Sequence, residues 1–114
     1  MRFFLTYKGE PKPPTAEQMA AIGKLGDEMK RTGVLIASGG ILPASKEGRF
    51  RLKNGQFSLT DGPFTETHEL IVGYAIVETG SEAAAIELGK RFMRVAGDGD
   101  AEVRRMVGEN EHSH

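Results

Sequence analysis

Leu70-Ile71-Val72-Gly73-Tyr74-Ala75-Ile76-Val77-Glu78-Thr79 is apolar on both sides of an alternating pattern. Val72, Tyr74 and Ile76 project one way; Ile71, Ala75 and Val77 project the other. Side chains alternate across a strand, so a strand of this composition is expected to be covered on both faces. The rest of the chain must supply two covers for one sheet.

Working upstream, Asp61-Gly62-Pro63-Phe64-Thr65-Glu66-Thr67-His68-Glu69 is a turn-forming start followed by a dense set of ionisable groups. Before it, Arg49 to Lys53 and Gln56 to Thr60 flank Asn54-Gly55. That dipeptide between alternating segments is a strong hairpin signal, because both turn positions need positive φ. Phe50, Leu52, Phe57 and Leu59 share the apolar face of this hairpin; Arg49, Arg51 and Lys53 lie on the other. Val34-Leu35-Ile36 reads as a strand, with Ser38-Gly39-Gly40 marking a bulge or a place where something approaches the backbone closely. Thr15-Ala16-Glu17-Gln18 matches a capping box. Met19, Ile22, Leu25 and Met29 then recur at helical spacing until Gly33 supplies a left-handed stop. Phe3, Leu5 and Tyr7 line one face of an opening strand, Arg2 to Lys8.

Downstream, Ser81 caps a second helix reaching about Ala96. Ala85, Leu88, Phe92 and Ala96 form its buried face, and Glu87 and Arg91 are spaced for an i, i+4 ion pair. Gly97-Asp98-Gly99-Asp100 breaks it, and Ala101 to Val107 reads as a last strand. The order is β-α-β, hairpin, β-α-β. Two helices cover only one face of a four-stranded sheet. The two-sided strand therefore predicts a ferredoxin-like α+β protomer whose second face is covered by another copy, a homodimer. Residues 1–108 form one domain and 109–114 a polar tail.

The bulk composition narrows the function classes. The chain has 114 residues, 39% hydrophobic, with a formal net charge of −1 and no cysteine. Disulfides and zinc–thiolate sites are excluded, and no whole-chain field favours nucleic acid. No apolar run approaches the roughly 20 residues that cross a bilayer. The start Met1-Arg2-Phe3-Phe4-Leu5-Thr6 is too quickly polar for a signal peptide, and a cytoplasmic setting is expected, with no membrane partner.

Asp61 can lock its own turn by accepting backbone N–H groups; the same carboxylate can act as a base or ligand anchor. Glu66 and Glu69, three apart, can pair as acid and base or remain solvated. His68 between them can trade protons near neutral pH, but one histidine is a weak metal set, and neither a metal nor a cofactor is expected. The Gly97-Asp98-Gly99 start of a dinucleotide fingerprint fails because its sixth position is Glu102 and the order is helix then strand. Arg49, Arg51 and Lys53 suit a solvated edge better than a nucleic-acid surface.

Asp61-Gly62-Pro63-Phe64, followed by Glu66, Glu69 and Gly73-Tyr74, resembles the DGPF group of YCII-related proteins. The likeness extends to Gly39-Gly40, Asn54-Gly55, and the Phe92 to Gly99 segment before Glu102-Val103-Arg104. It implies a dimeric α/β barrel. It implies lyase-like chemistry only for some relatives, through a histidine–aspartate pair with the histidine on the first helix. This chain has no histidine between Thr15 and Gly33, so that pair does not carry over; His68 departs too, where relatives usually have lysine. The resulting expectation is a small-molecule cleft beside the DGPF loop. Asp61, Glu66 and His68 are the candidate acid–base residues. Gly39, Gly40, Phe64, Glu69 and Tyr74 are the candidate ligand contacts. The alternative is a non-catalytic regulatory or partner-binding module, linked through the resemblance to an extracytoplasmic-function sigma factor.

Overall fold

The computed structural model describes residues 1–9, 14–42, 45–60 and 72–108. Within them the order is β1 (Arg2–Gly9), α1 (Ala16–Arg31), β2 (Leu35–Ile41), a 3-10 turn (Lys46–Gly48), β3 (Phe50–Lys53), β4 (Gln56–Leu59), β5 (Val72–Glu78), α2 (Glu82–Ala96) and β6 (Gly99–Arg105). Four strands form one sheet in the order β2-β5-β1-β6. Each neighbouring pair is antiparallel. The helical crossover from β1 to β2 skips over β5, and the one from β5 to β6 skips over β1. This is the ferredoxin-like α+β arrangement, and β3 and β4 form a separate hairpin.

Local chemistry accounts for the helices. The Thr15 hydroxyl accepts from the Gln18 backbone N–H at 3.1 Å, and the Gln18 amide oxygen accepts from the Thr15 N–H at 2.8 Å. This reciprocal box satisfies two donors that the first turn leaves orphaned. Gly33, at φ 79°, ends the helix as the sequence predicts. Ser81 caps α2 by accepting from the Ala84 N–H at 3.1 Å.

Both helices lie on one face of the sheet. Phe3 and Val77 are cross-strand partners and are fully buried, as is Ala85 of α2. Leu25 and Met29 of α1 and Leu35 of β2 complete this core, with Leu5, Leu88, Phe92 and Val103 packed around it. Fully burying a side chain of the Phe3 or Val77 type stabilises by about 1.5–3 kcal/mol. On the opposite face Phe4, Tyr74 and Ile76 are half-buried, and the Phe4 and Tyr74 rings stand 6.1 Å apart. β5 is thus apolar on both sides, as its sequence pattern requires.

Three expectations need correction. The irregularity in β2 falls between Leu35 and Ala37, not at Gly39-Gly40, which pair in regular register with Tyr74 and Gly73. Gly39 answers close approach instead: a Cβ there would stand 3.0 Å from Tyr74 Cε1. Arg91 does not pair with Glu87. It reaches across the helix–helix groove to Glu28 at 3.4 Å, and Glu87 pairs with Lys90 at 3.7 Å. β6 begins at Gly99, two residues earlier than its composition suggests, because Gly99 and Asp100 pair with Gly9 and Lys8. Gly99 is required there, since a Cβ would collide with the Lys8 carbonyl.

Candidate functional site

A cavity of about 630 Å³ lies between the helices and the sheet. Its deeper wall is core: Leu25, Met29, Leu35, Val77 and Leu88 all line it. At its other end meet the last residue of β1 (Gly9), the first turn of α1 (Thr15, Gln18) and the end of α2 (Met93, Ala96).

Two polar side chains tie that end together. The Tyr7 hydroxyl donates to the carbonyls of Gly97 and Asp98, at 3.0 and 3.1 Å. Its ring meets Phe92 edge-on with centroids 5.2 Å apart. A buried tyrosine needs a partner for its polar tip, and the Gly97-Asp98 turn provides two acceptors. Gln18, already in the capping box, also donates from Nε2 to the Ala96 carbonyl at 3.3 Å. It satisfies a carbonyl that the end of α2 leaves open. One glutamine therefore joins the start of one helix to the end of the other.

Of the residues singled out in the sequence, Gly39, Gly40 and Tyr74 line this cavity together. β2 and β5 carry them as neighbours, Gly39 opposite Tyr74 and Gly40 opposite Gly73. The Tyr74 hydroxyl has no hydrogen-bond partner among the described residues. Asp61, Phe64, Glu66, His68 and Glu69 lie outside the described residues, as does the 109–114 tail. Sequence reading missed Tyr7, Gln18 and Phe92. A tyrosine on the inward face of a strand was the available signal for Tyr7. Gln18 was visible only as a capping residue, since nothing local links it to Ala96.

The lining sets the available chemistry. It is largely apolar, with hydroxyls from Tyr7 and Ser38 and backbone groups exposed by the glycines. The only carboxylate among the described lining residues belongs to Asp98, and they include no histidine, lysine or arginine. Among the described residues no cluster of three or more histidine, aspartate or glutamate side chains could hold a metal. No described helix is long and apolar enough to cross a membrane.

A search of the solved structures gave a match to 5-chloro-2-hydroxyhydroquinone dehydrochlorinase from Burkholderia phenoliruptrix AC1100, in complex with 2,5-dihydroxybenzoquinone. The TM-score is 0.50 at 17% identity, over 96% of this chain and 99% of that one. At that identity the likeness speaks for the fold alone. A sequence search of functionally curated proteins gave no match. The YCII-related domain matches residues 1–107, nearly the whole chain. The opening strand, the glycine pair beside Tyr74, the hairpin and the closing strand all fall within that match, and the chain belongs to the YCII-related domain family.

Proposed function

We propose that this protein is a cytoplasmic homodimer that binds a small, largely uncharged molecule in the cavity between its helices and sheet. We further propose that the 61–69 run acts on that molecule by acid–base, lyase-like chemistry. The observation that carries the binding claim is the cavity itself. Its volume of about 630 Å³ falls within the roughly 300–1,000 Å³ of ligand-holding clefts, and its apolar lining with a few hydroxyls is what such clefts use. A charged ligand would lack a counter-charge among the described lining residues, apart from a cation beside Asp98.

The catalytic claim rests on connectivity. The described lining supplies no imidazole and one carboxylate. The Asp61-to-Glu69 run leads directly into β5, whose Gly73 and Tyr74 line the cavity. Asp61 is assigned the base or anchor, Glu66 and His68 the proton exchange, and Phe64 and Glu69 ligand contacts. One solved relative by fold is a dehydrochlorinase held in complex with a quinone, a small ring of the size this cavity accepts. The homodimer draws on the half-buried apolar side chains Phe4, Tyr74 and Ile76 on the helix-free face.

Calorimetric titration with 2,5-dihydroxybenzoquinone tests the binding claim: one saturable site per protomer is expected, and it should weaken strongly in Gly73→Leu, whose side chain would project beside Ala75 and Val77 on the helix-covered face. The acid–base claim is tested separately with 5-chloro-2-hydroxyhydroquinone as trial substrate. Chloride release should fall by about 10²-fold or more in Asp61→Asn. An Asp61→Asn protein that loses only stability would reduce Asp61 to a turn lock.

A second reading, a non-catalytic partner-binding module, draws on one observation: the apolar face of the β3–β4 hairpin is exposed. It predicts that the cavity takes up no small molecule.

A further inference from the structure

The β3–β4 hairpin has no place in the site described above. Its register sets Phe50 opposite Leu59 and Leu52 opposite Phe57, so all four share one face. The two phenylalanine rings meet at 6.4 Å. Phe50, Leu52, Phe57 and Leu59 are 65%, 59%, 72% and 50% exposed. Among the described residues the hairpin packs extensively on nothing but itself. A two-stranded hairpin alone is marginal in water and needs a further layer. The same chain carries a second apolar surface with no helix over it, the face around half-buried Phe4, Tyr74 and Ile76, bordered by exposed Ile41.

We propose that the hairpin is a dimerisation arm: its apolar face packs on the helix-free sheet face of a second copy. The proposal rests on the homodimer reading above and adds the arm to it. Area argues for a second copy. The four arm side chains, half to three-quarters exposed, present roughly 400 Å². In a two-fold contact each copy buries its own arm and a receiving patch of similar size, which together reach the about 800 Å² per partner of a standard interface. Geometry agrees: twisted sheets packed face to face diverge at their corners, and a projecting two-stranded arm fills such a corner. In a two-fold contact each copy both gives and receives an arm.

Sedimentation of the wild type, of Phe50→Ser/Phe57→Ser, and of Ile76→Lys tests this. The wild type should be dimeric at micromolar concentration. The arm variant should keep its circular dichroism spectrum and raise the dimer dissociation constant at least tenfold. A dimer that Ile76→Lys breaks and the arm variant leaves equally tight would overturn the arm and spare the sheet-face dimer. A monomeric wild type would overturn both, whether or not it binds anionic phospholipid vesicles through the hairpin. Hydrogen exchange on the unmutated protein gives an independent reading. Protection of the amides of residues 50–59 should rise with protein concentration in step with dimer formation, and protection independent of concentration would contradict the arm.

Discussion

Gly39 and Tyr74 face each other across β2 and β5, and a methyl group at position 39 would stand 3.0 Å from Tyr74 Cε1 and 3.3 Å from its hydroxyl. That contact is too tight to be met without movement, so the ring must shift by a few tenths of an ångström. The glycine thus sets where the Tyr74 phenol sits on the helix-free face. Gly39→Ala is expected to cost about 1 kcal/mol of stability, the lower end of overpacking, measurable by urea denaturation. Tyr74→Leu in the same chain should relieve the crowding, giving a coupling energy of at least about 0.5 kcal/mol in a double-mutant cycle.

Tyr7→Phe tests how the cavity's end is held. The variant keeps the edge contact with Phe92 but loses the donor to the Gly97 and Asp98 carbonyls. A net loss of about 1 kcal/mol is expected, seen as a fall in Tm of roughly 4–8 °C for a domain of about this size. An unchanged Tm would mean that water replaces the hydroxyl without cost.

Gln18→Ala removes both halves of a dual role, the reciprocal cap to Thr15 and the bond to Ala96. Thr15→Ala removes the cap alone. Cap loss is expected to cost about 1 kcal/mol, and Gln18→Ala should cost more than Thr15→Ala by a further fraction of that. Equal costs in thermal melts would show that the Ala96 contact contributes nothing.

The Arg91–Glu28 pair lies across the two helices at 3.4 Å but is nearly half exposed on both sides. Solvent screening limits it. A double-mutant cycle is expected to give no more than about 0.5–1 kcal/mol, declining as salt is raised. A larger, salt-insensitive coupling would mean that the pair is better shielded than its exposure implies.

Much of this fold was legible because its signals are local. The Thr15 box, the Asn54-Gly55 turn (φ 53° and 78°) and the alternation of β5 depend on residues within a few positions of one another. What escaped depends on register and packing between distant segments. The irregularity near Ile36 is set by how β2 meets β5. The early start of β6 is set by β1, since Gly99 and Asp100 read in isolation as helix breakers. Arg91 chose Glu28 over a same-helix partner because α1 lies alongside α2. The site followed the same division. Gly39, Gly40 and Tyr74 were found from composition and resemblance, whereas Tyr7 and Gln18 gained their roles only when Gly97 and Ala96 were brought to them. The carboxylates and the histidine that drew attention to Asp61-to-Glu69 remain a proposal argued from their chemistry and their connection to β5.

The central claim is that a small molecule occupies the space between the helices and the sheet. The most direct measurement is amide chemical-shift mapping during titration with 2,5-dihydroxybenzoquinone. Saturable shifts concentrated at Gly39, Gly40, Gly73, Tyr74 and Gly97, with the β3–β4 hairpin unmoved, are predicted. Shifts confined to the hairpin, or none that saturate, would contradict the account.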